Sequence, residues 1–284
     1  MTDLSIVIVS FNTREILAST LAAVLAESSL RLDVHVVDNA SDDGSAAMVQ
    51  ARFPTVRLTA NLENRFYSAG TNQGLESARG RHILVLNPDA EPAPGTLAAM
   101  VTYLDTHPDV GALTPRMCFP DGRVQRNGSQ LRSYRQLILE HTPLAILFPR
   151  SRRRLRAAFR YAAWDRTSER DVAVLPGSCL MVRREVLDTV GGLDARLRMY
   201  FSDDDWCERI AAAGFRVVYA PIGMVVHPEG ASASRTPWMA RRLYFQDMIR
   251  YGGKRFGRPA AALLWLLTRP VLLAFAIAGV VRRR

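Results

Sequence analysis

Three short apolar runs early in the chain each stop at a polar or acidic residue: Ser5–Ser10 (followed by Phe11-Asn12), Val34–Asp38 and Ile83–Asn87. Each has strand length and is rich in Val, Ile and Leu on both faces, the pattern of strands buried between two layers. Helical patterns separate them at Arg14–Ala26, Ser45–Arg52, Ser68–Ala78 and Pro94–His107, with a further strand expected at Val56–Thr59. Strands alternating with helices predict βαβ units and a mostly parallel α/β sheet. Open sheets of this kind bind ligands outside the carboxyl ends of their strands. The residues that close these runs are therefore the first candidates for a site.

Local signals set the boundaries. Asn12 or Thr13 can cap the first helix, and Asp42-Asp43-Gly44-Ser45 reads as turn and cap for the second. Past Val110 the texture changes. Pro120-Asp121-Gly122 predicts a turn joining two short strands. Leu175–Val182 reads as a buried strand, Arg183–Val190 as a helix ended by Gly191-Gly192, and Asp203–Ala213 as a helix ended by Gly214. Phe215–Tyr219 and Met224–Val226 read as two more strands.

From Pro237 the chain reads as helical, and Pro259–Val281 is nearly all apolar before Arg282-Arg283-Arg284. About 20 apolar residues span a bilayer, but Arg269-Pro270 interrupts this stretch, and a central Arg costs about 2.5 kcal/mol or more. Two half-length helices in the interface, or a re-entrant hairpin, are expected; a buried terminal helix pair is the ordinary alternative. This divides the chain into a catalytic domain, 1–235, and a membrane-associating segment, 236–284.

The 284 residues suit one large α/β domain or one with an appendage, and 48% hydrophobic content supports a sizeable core. A net charge of +10 favours anionic partners: nucleic acid, phosphorylated substrates or an acidic membrane surface. Arg150, Arg152, Arg153, Arg154 and Arg156 concentrate that charge, on a solvated loop or against headgroups or a diphosphate. Cys118, Cys179 and Cys207 are too dispersed for a disulfide framework or a zinc site. The N-terminus has no basic region before a cleavable apolar stretch, so a cytosolic catalytic part is expected.

Ser10, Asn12, Asp38, Asn39 and Ser41 lie at consecutive strand ends, where they can read the edge of a nucleobase and a ribose. Asp38 can accept a hydrogen bond from the N3–H of uracil or thymine, though Asn and Asp also form turns and caps. In Asn64-Arg65-Phe66-Tyr67-Ser68-Ala69-Gly70-Thr71-Asn72-Gln73-Gly74, small residues permit close approach of a diphosphate or sugar to backbone N–H groups. The glycine spacing is neither a dinucleotide fingerprint nor a P-loop. Asn87-Pro88-Asp89 carries one firm carboxylate, with Glu91 nearby, and Mg²⁺ needs only one or two beside substrate phosphates. Ser202 can cap the next helix, with Asp203, Asp204 and Asp205 in its first turn, where the dipole favours an ionised carboxylate. His227 closes Met224-Val225-Val226.

Jointly these segments resemble the family 2 glycosyltransferases, in particular the rhamnosyltransferase-like branch of bacterial surface polysaccharide synthesis. The matches are Ser5–Asn12, Val36–Ser41, Ala69–Gly74, Leu86–Asp89, Pro176-Gly177-Ser178 through Glu185, Val190–Asp194, Tyr200–Arg209 (with Trp206) and Val225–His227. The resemblance implies a GT-A fold, a nucleotide-diphosphate sugar donor, a divalent cation (Mg²⁺ or Mn²⁺) and inversion at the anomeric carbon. It implies Asp203 as the base, with Asp204 as rival, and Asp89 with His227 on the cation. Asn87 and Arg65 fall on the donor side, and Gly177, Ser178, Ser202, Asp205 and Trp206 become acceptor or supporting residues. Three departures stand out: Asn87 replaces a common acid, Ser202 replaces the usual Glu before the base, and Arg65 replaces a common glycine.

On this reading an acceptor hydroxyl, on a glycan or a polyprenyl-diphosphate-linked saccharide, gives its proton to Asp203. A cation on Asp89 neutralises the leaving diphosphate. The protein would then work at the cytoplasmic face of a membrane with an anionic surface. A polyprenyl-phosphate sugar synthase is the runner-up, because a phosphate acceptor needs no base. A nucleic-acid-binding protein draws on charge alone, without an aromatic-interleaved basic stripe, and no nucleic acid is expected as a partner.

Overall fold

A computed structural model describes residues 2–228 and 237–281 of the protein. Arg282, Arg283 and Arg284, the basic end of the expected membrane segment, lie outside the described residues. The first half follows the expected alternation: β1 (Leu4–Ser10), α1 (Arg14–Leu25), β2 (Leu32–Asp38), α2 (Ser45–Arg52), β3 (Arg57–Ala60), α3 (Phe66–Ser77) and β4 (His82–Leu86). β1 pairs in parallel with β2 and β4, and β2 with β3. Then come β5 (Glu91–Pro92), α4 (Thr96–Thr106), β6 (Val110–Cys118), α5 (Tyr134–His141), α6 (Leu144–Leu147), α7 (Pro149–Phe159) and β7 (Arg170–Asp171). β8 (Cys179–Arg183), α8 (Arg184–Val190), α9 (Ser202–Ala212), β9 (Arg216–Val226), α10 (Pro237–Phe256) and α11 (Arg258–Val281) complete the described elements.

Among the described residues one sheet runs β3-β2-β1-β4-β8-β6-β9-β5, with β7 on β9. β8 is antiparallel to both β4 and β6, whereas β6 and β9 are parallel. Strand pleating sends successive side chains to opposite faces. Ile6, Ile8, Leu84 and Leu86 meet Leu17, Leu21, Met48 and Met100 of α1, α2 and α4 on one face. Val7, Ile83 and Val85 meet Leu75, Val186, Trp206 and Ile210 of α3, α8 and α9 on the other. Burial on both faces is why these strands read as unbroken apolar runs.

Several expectations shift. The strand expected over Leu175–Val182 begins only at Cys179, because Pro176-Gly177 opens a loop that reaches the site. The two strands expected at Phe215–Tyr219 and Met224–Val226 are one, β9, with its pairing to β6 irregular between Tyr219 and Met224. Pro221 and Gly223 fall in that irregular stretch, where a missing ladder donor is tolerated. The Pro120-Asp121-Gly122 turn is present, but beyond it only Val124 bridges back to Cys118. Residues 149–159 form a helix rather than a loop. Helix α1 is capped from outside: Asp43 Oδ2 accepts from the Arg14 N–H at 2.9 Å, and the Thr13 side chain makes no capping bond.

The C-terminal segment is a hairpin of α10 and α11, and α11 runs unbroken through Arg269-Pro270. Pro270 removes one helical donor. Thr268 Oγ1 donates to the Leu264 carbonyl at 2.8 Å, and Arg269 Nε to that of Trp265 at 3.2 Å, reinforcing the turn before it. Leu264 joins Leu137, Phe201, Phe245, Met248 and Tyr251 in a third core, whereas Leu263, Trp265, Leu266 and Leu273 are exposed. By length and composition Arg258–Phe275 could cross a membrane. The three cysteines are free and buried.

Gly74 carries the contact between α3 and β1, since a Cβ there would overlap the Val7 side chain. Gly74→Ala is expected to cost about 1–3 kcal/mol by overpacking. An unchanged urea midpoint would show that α3 can lift off the sheet.

Candidate active site

The antiparallel register of β4 with β8 pairs Leu86 with Cys179, and beyond it the Asn87 N–H donates to the Ser178 carbonyl at 2.9 Å. Two loops therefore leave the sheet side by side: Asn87-Pro88-Asp89 and Pro176-Gly177-Ser178. Thr20 Oγ1 of α1 holds the first by donating to the Pro88 carbonyl at 2.7 Å. The second is clamped from both sides. Tyr67 Oη donates to the Gly177 carbonyl at 2.8 Å, and the Gly177 N–H donates to Asp203 Oδ2 at 3.2 Å. Burial, then the Asp203 charge, pushes the Tyr67 phenol up, so it stays a donor.

These loops border a cavity of about 300 Å³. Of the residues the sequence singled out, Ser10, Asn39, Asn64, Asn87, Asp89, Gly177, Ser178, Ser202 and Asp203 line it. His227 stands directly behind. β5 pairs antiparallel with the end of β9, Glu91 opposite Val226, which sets His227 Nε2 3.3 Å from Asp89 Oδ1. His227 is 6% exposed, yet among the described residues neither ring nitrogen has a hydrogen-bond partner. A buried imidazole with unused nitrogens facing a buried carboxylate fits a divalent cation. Among the described residues no third His, Cys, Asp or Glu joins them. Other ligands would be substrate phosphates and water, the usual arrangement for Mg²⁺.

Asp38, expected to read a base, does not line the cavity. Its Oδ2 accepts from the Ser41 N–H at 2.9 Å, while its buried Oδ1 has no partner. Buried polar atoms are rarely left so. Asn12 and Ser41 clasp the first two loops: the Asn12 N–H donates to Ser41 Oγ, and the Asp42 N–H to Asn12 Oδ1, each at 2.9 Å. Arg65 is exposed and outside the lining. Asn72 is spent elsewhere, its amide giving and taking hydrogen bonds at 2.8 Å with the Leu193 backbone.

At the start of α9 the expected Ser202 cap is absent. Phe201 occupies the N-cap with φ 64°, and Ser202 is already helical. Asp203, Asp204 and Asp205 do share the first turn but diverge. Asp205 pairs with Arg209 at 3.0 Å and Lys254 at 2.5 Å, and Trp206 is core, donating to the Gly191 carbonyl at 2.9 Å. Asp204 points inward, 3.3 Å from Arg132. Burial pushes its carboxyl up, against the pull of Arg132 and opposite to the helix-dipole expectation. That leaves Asp203 as the carboxylate of this turn that faces the cavity.

The sequence reading missed the wall opposite. Met199 and Tyr200 line the cavity, as do Met239, Ala240 and Leu243 of α10. Asp247 of α10, fully buried, accepts from the Met199 and Tyr200 N–H groups at 2.9 and 3.1 Å. An acid inside an amphipathic helix carries no sequence mark of this distant partner.

The family model for glycosyl transferase family 2 matches residues 5–191. The chain belongs to that family. The N-acetylglucosaminyl-diphospho-decaprenol L-rhamnosyltransferase of Mycobacterium tuberculosis is 32% identical over 249 residues, 84% of this chain and 80% of the relative. The O-antigen biosynthesis protein RfbC of Myxococcus xanthus is 28% identical over 80% of this chain but only 17% of its own length. Among solved structures, a mannosyltransferase from Pyrobaculum calidifontis in complex with GDP-Man and Mn²⁺ superposes with a TM-score of 0.59. It is 21% identical, and the match covers 98% of this chain and 77% of that one. The fold of this family 2 glycosyltransferase is thus the expected GT-A type.

His141 joins α5 to α10 through a 3.0 Å hydrogen bond with Tyr244. Burial, then Arg132, Arg152 and Arg156, lowers its pKa from 6.5 to about 4. The unfolded chain takes up this proton first, so stability is expected to fall as pH drops from about 6.5 to about 4. His141→Gln should flatten that part of a melting-temperature profile; an identical slope would remove His141 as its source.

Proposed function

We propose that this glycosyltransferase moves a sugar from a nucleotide diphosphate, rhamnose from dTDP-rhamnose or the sugar of a UDP donor, with inversion. The acceptor is a hydroxyl on a glycan or a polyprenyl-diphosphate-linked saccharide of cell-surface polysaccharide synthesis. The observation that carries the reading is that Asp203 and Asp89 line one cavity, with His227 3.3 Å behind Asp89. The similarity to the mycobacterial N-acetylglucosaminyl-diphospho-decaprenol L-rhamnosyltransferase supports rhamnose and a lipid-diphosphate acceptor.

The unpartnered Oδ1 of Asp38 accepts the N3–H of the uracil or thymine. Asn39 and Asn64 border the space between base and sugar. Asp89 and His227 hold the divalent cation, which when bound neutralises charge on the leaving diphosphate. Asp203 is held on one oxygen by the Gly177 N–H and takes the acceptor hydroxyl's proton as that oxygen attacks the anomeric carbon. Met199, Tyr200 and the α10 wall keep water from competing.

The exposed apolar face of α11 rests in the cytoplasmic face of the membrane, with the apolar side chains in the interface. Leu263→Glu with Leu266→Glu is expected to abolish co-sedimentation with phosphatidylglycerol vesicles and leave donor binding intact. A wild-type protein that ignores such vesicles would remove the membrane assignment.

Asp203→Asn is expected to lower transfer by about 10²–10⁴-fold, the usual worth of a positioned base, with donor affinity retained. Near-normal turnover would instead favour a phosphate acceptor, as in a polyprenyl-phosphate sugar synthase. Asp89→Ala should lose the Mn²⁺-dependent part of nucleotide binding in calorimetry. Full transfer by EDTA-treated enzyme would overturn the metal assignment.

A further inference from the structure

A second concavity, of about 340 Å³, lies along α7 and is lined by Arg126, Arg152, Arg153, Arg156 and Arg160, with no carboxylate among its lining residues. Among the described residues no ion pair joins Arg126, Arg152, Arg153 or Arg156 to an acid. The Arg152 Nε is buried and has no hydrogen-bond partner. The guanidinium groups of Arg126, Arg152, Arg153 and Arg156, held around one concavity, repel each other, and an anion relieves that repulsion. Arginine also supplies the planar fork that binds phosphate oxygens in pairs.

Contacts run from the groove's neighbours to His227 and to Asp204, each adjoining a residue of the catalytic cavity. Gln125, next to Arg126, donates to the His227 carbonyl at 2.5 Å. Phe159, at the end of α7, lies 4.5 Å under the Arg132 guanidinium, and Arg132 reaches Asp204 beside the base. Just before α7, Ile146, Leu147 and Phe148 are 81%, 69% and 51% exposed. An arginine groove beside the site thus continues into an apolar knuckle on the same helical layer.

We propose that this groove binds the diphosphate of a lipid-linked acceptor, with the lipid leaving over Ile146, Leu147 and Phe148 and the saccharide reaching Asp203. The assignment rests on the acceptor class proposed above. It is separate from the donor's diphosphate, which belongs to Asp89 and His227.

The test uses the full chain in detergent, with farnesyl diphosphate as binding probe and farnesyl-diphosphate-linked N-acetylglucosamine as acceptor. Arg153→Glu sits at an exposed position and guards against misfolding; Arg152→Ala with Arg156→Ala tests the inner groove. Each is expected to weaken farnesyl diphosphate binding and raise the acceptor KM about tenfold or more, the worth of a charge-assisted contact. Donor binding and kcat should stay near the wild-type values. A retained affinity for farnesyl diphosphate would overturn the groove assignment, whether or not binding to phosphatidylglycerol vesicles is lost; loss of vesicle binding alone would make it a headgroup patch. If wild-type protein binds nucleotide sugar but neither farnesyl ligand, the lipid-linked acceptor reading fails, independently of the variants.

Discussion

The antiparallel register between β4 and β8 is the constraint on which the site depends. A wholly parallel sheet would send neighbouring chain ends to one edge, but only strand ends would meet there. Because β8 runs the other way, the loop entering it meets the loop leaving β4, joined by the Asn87–Ser178 hydrogen bond. One loop carries Asp89, the carboxylate proposed to hold the cation, and the other offers the Gly177 N–H to Asp203. Slipping that register by one residue would part the two carboxylates and turn every β8 side chain to the wrong face.

Four of the six non-glycine residues with positive φ among the described residues lie near the same edge, Tyr161 and Arg166 being the other two. Asn12, Ala40, Phe66 and Phe201 have positive φ values of 54°, 62°, 63° and 64° without being glycine. Each stands where a strand has ended or a helix begins beside the cavity. Such conformations cost of order 1–3 kcal/mol each and persist where surroundings over-determine them. Here the Asn12–Ser41 clasp and the Asn64 Oδ1 bond to the Phe66 N–H, at 2.8 Å, are such restraints.

What the sequence made legible follows from how local the signals are. Strands β1, β2 and β4, buried on both faces, announce themselves as apolar runs, and the residues closing them do gather at one edge. β5 is only two residues long and has no periodicity to read, yet it is what sets His227 against Asp89. Asn72 shares the small-residue stretch at the start of α3, but its amide is committed to Leu193, over a hundred residues away in sequence. The three aspartates of α9 look equivalent in sequence and separate only when packing buries Asp204, pairs Asp205 and leaves Asp203 at the cavity. The α11 helix overrides its Arg-Pro interruption because side-chain donors and the third core hold it together.

Helix α10 belongs at once to the terminal hairpin and to the cavity wall. Its Asp247 grips the Met199-Tyr200 backbone, its Lys254 reaches Asp205 on α9, and it leads directly into α11. On the proposed function, anchoring and acceptor specificity would therefore not be independently adjustable in this chain. If the hairpin rests on a membrane as proposed, a tilt on that surface would shift the wall beside Asp203, and the surface itself would act as part of the acceptor's mould. On that reading, lineages that change the terminal hairpin would have to re-fit the proposed acceptor wall at the same time, while the proposed donor side, built on β1, β2 and β4, could remain as it was.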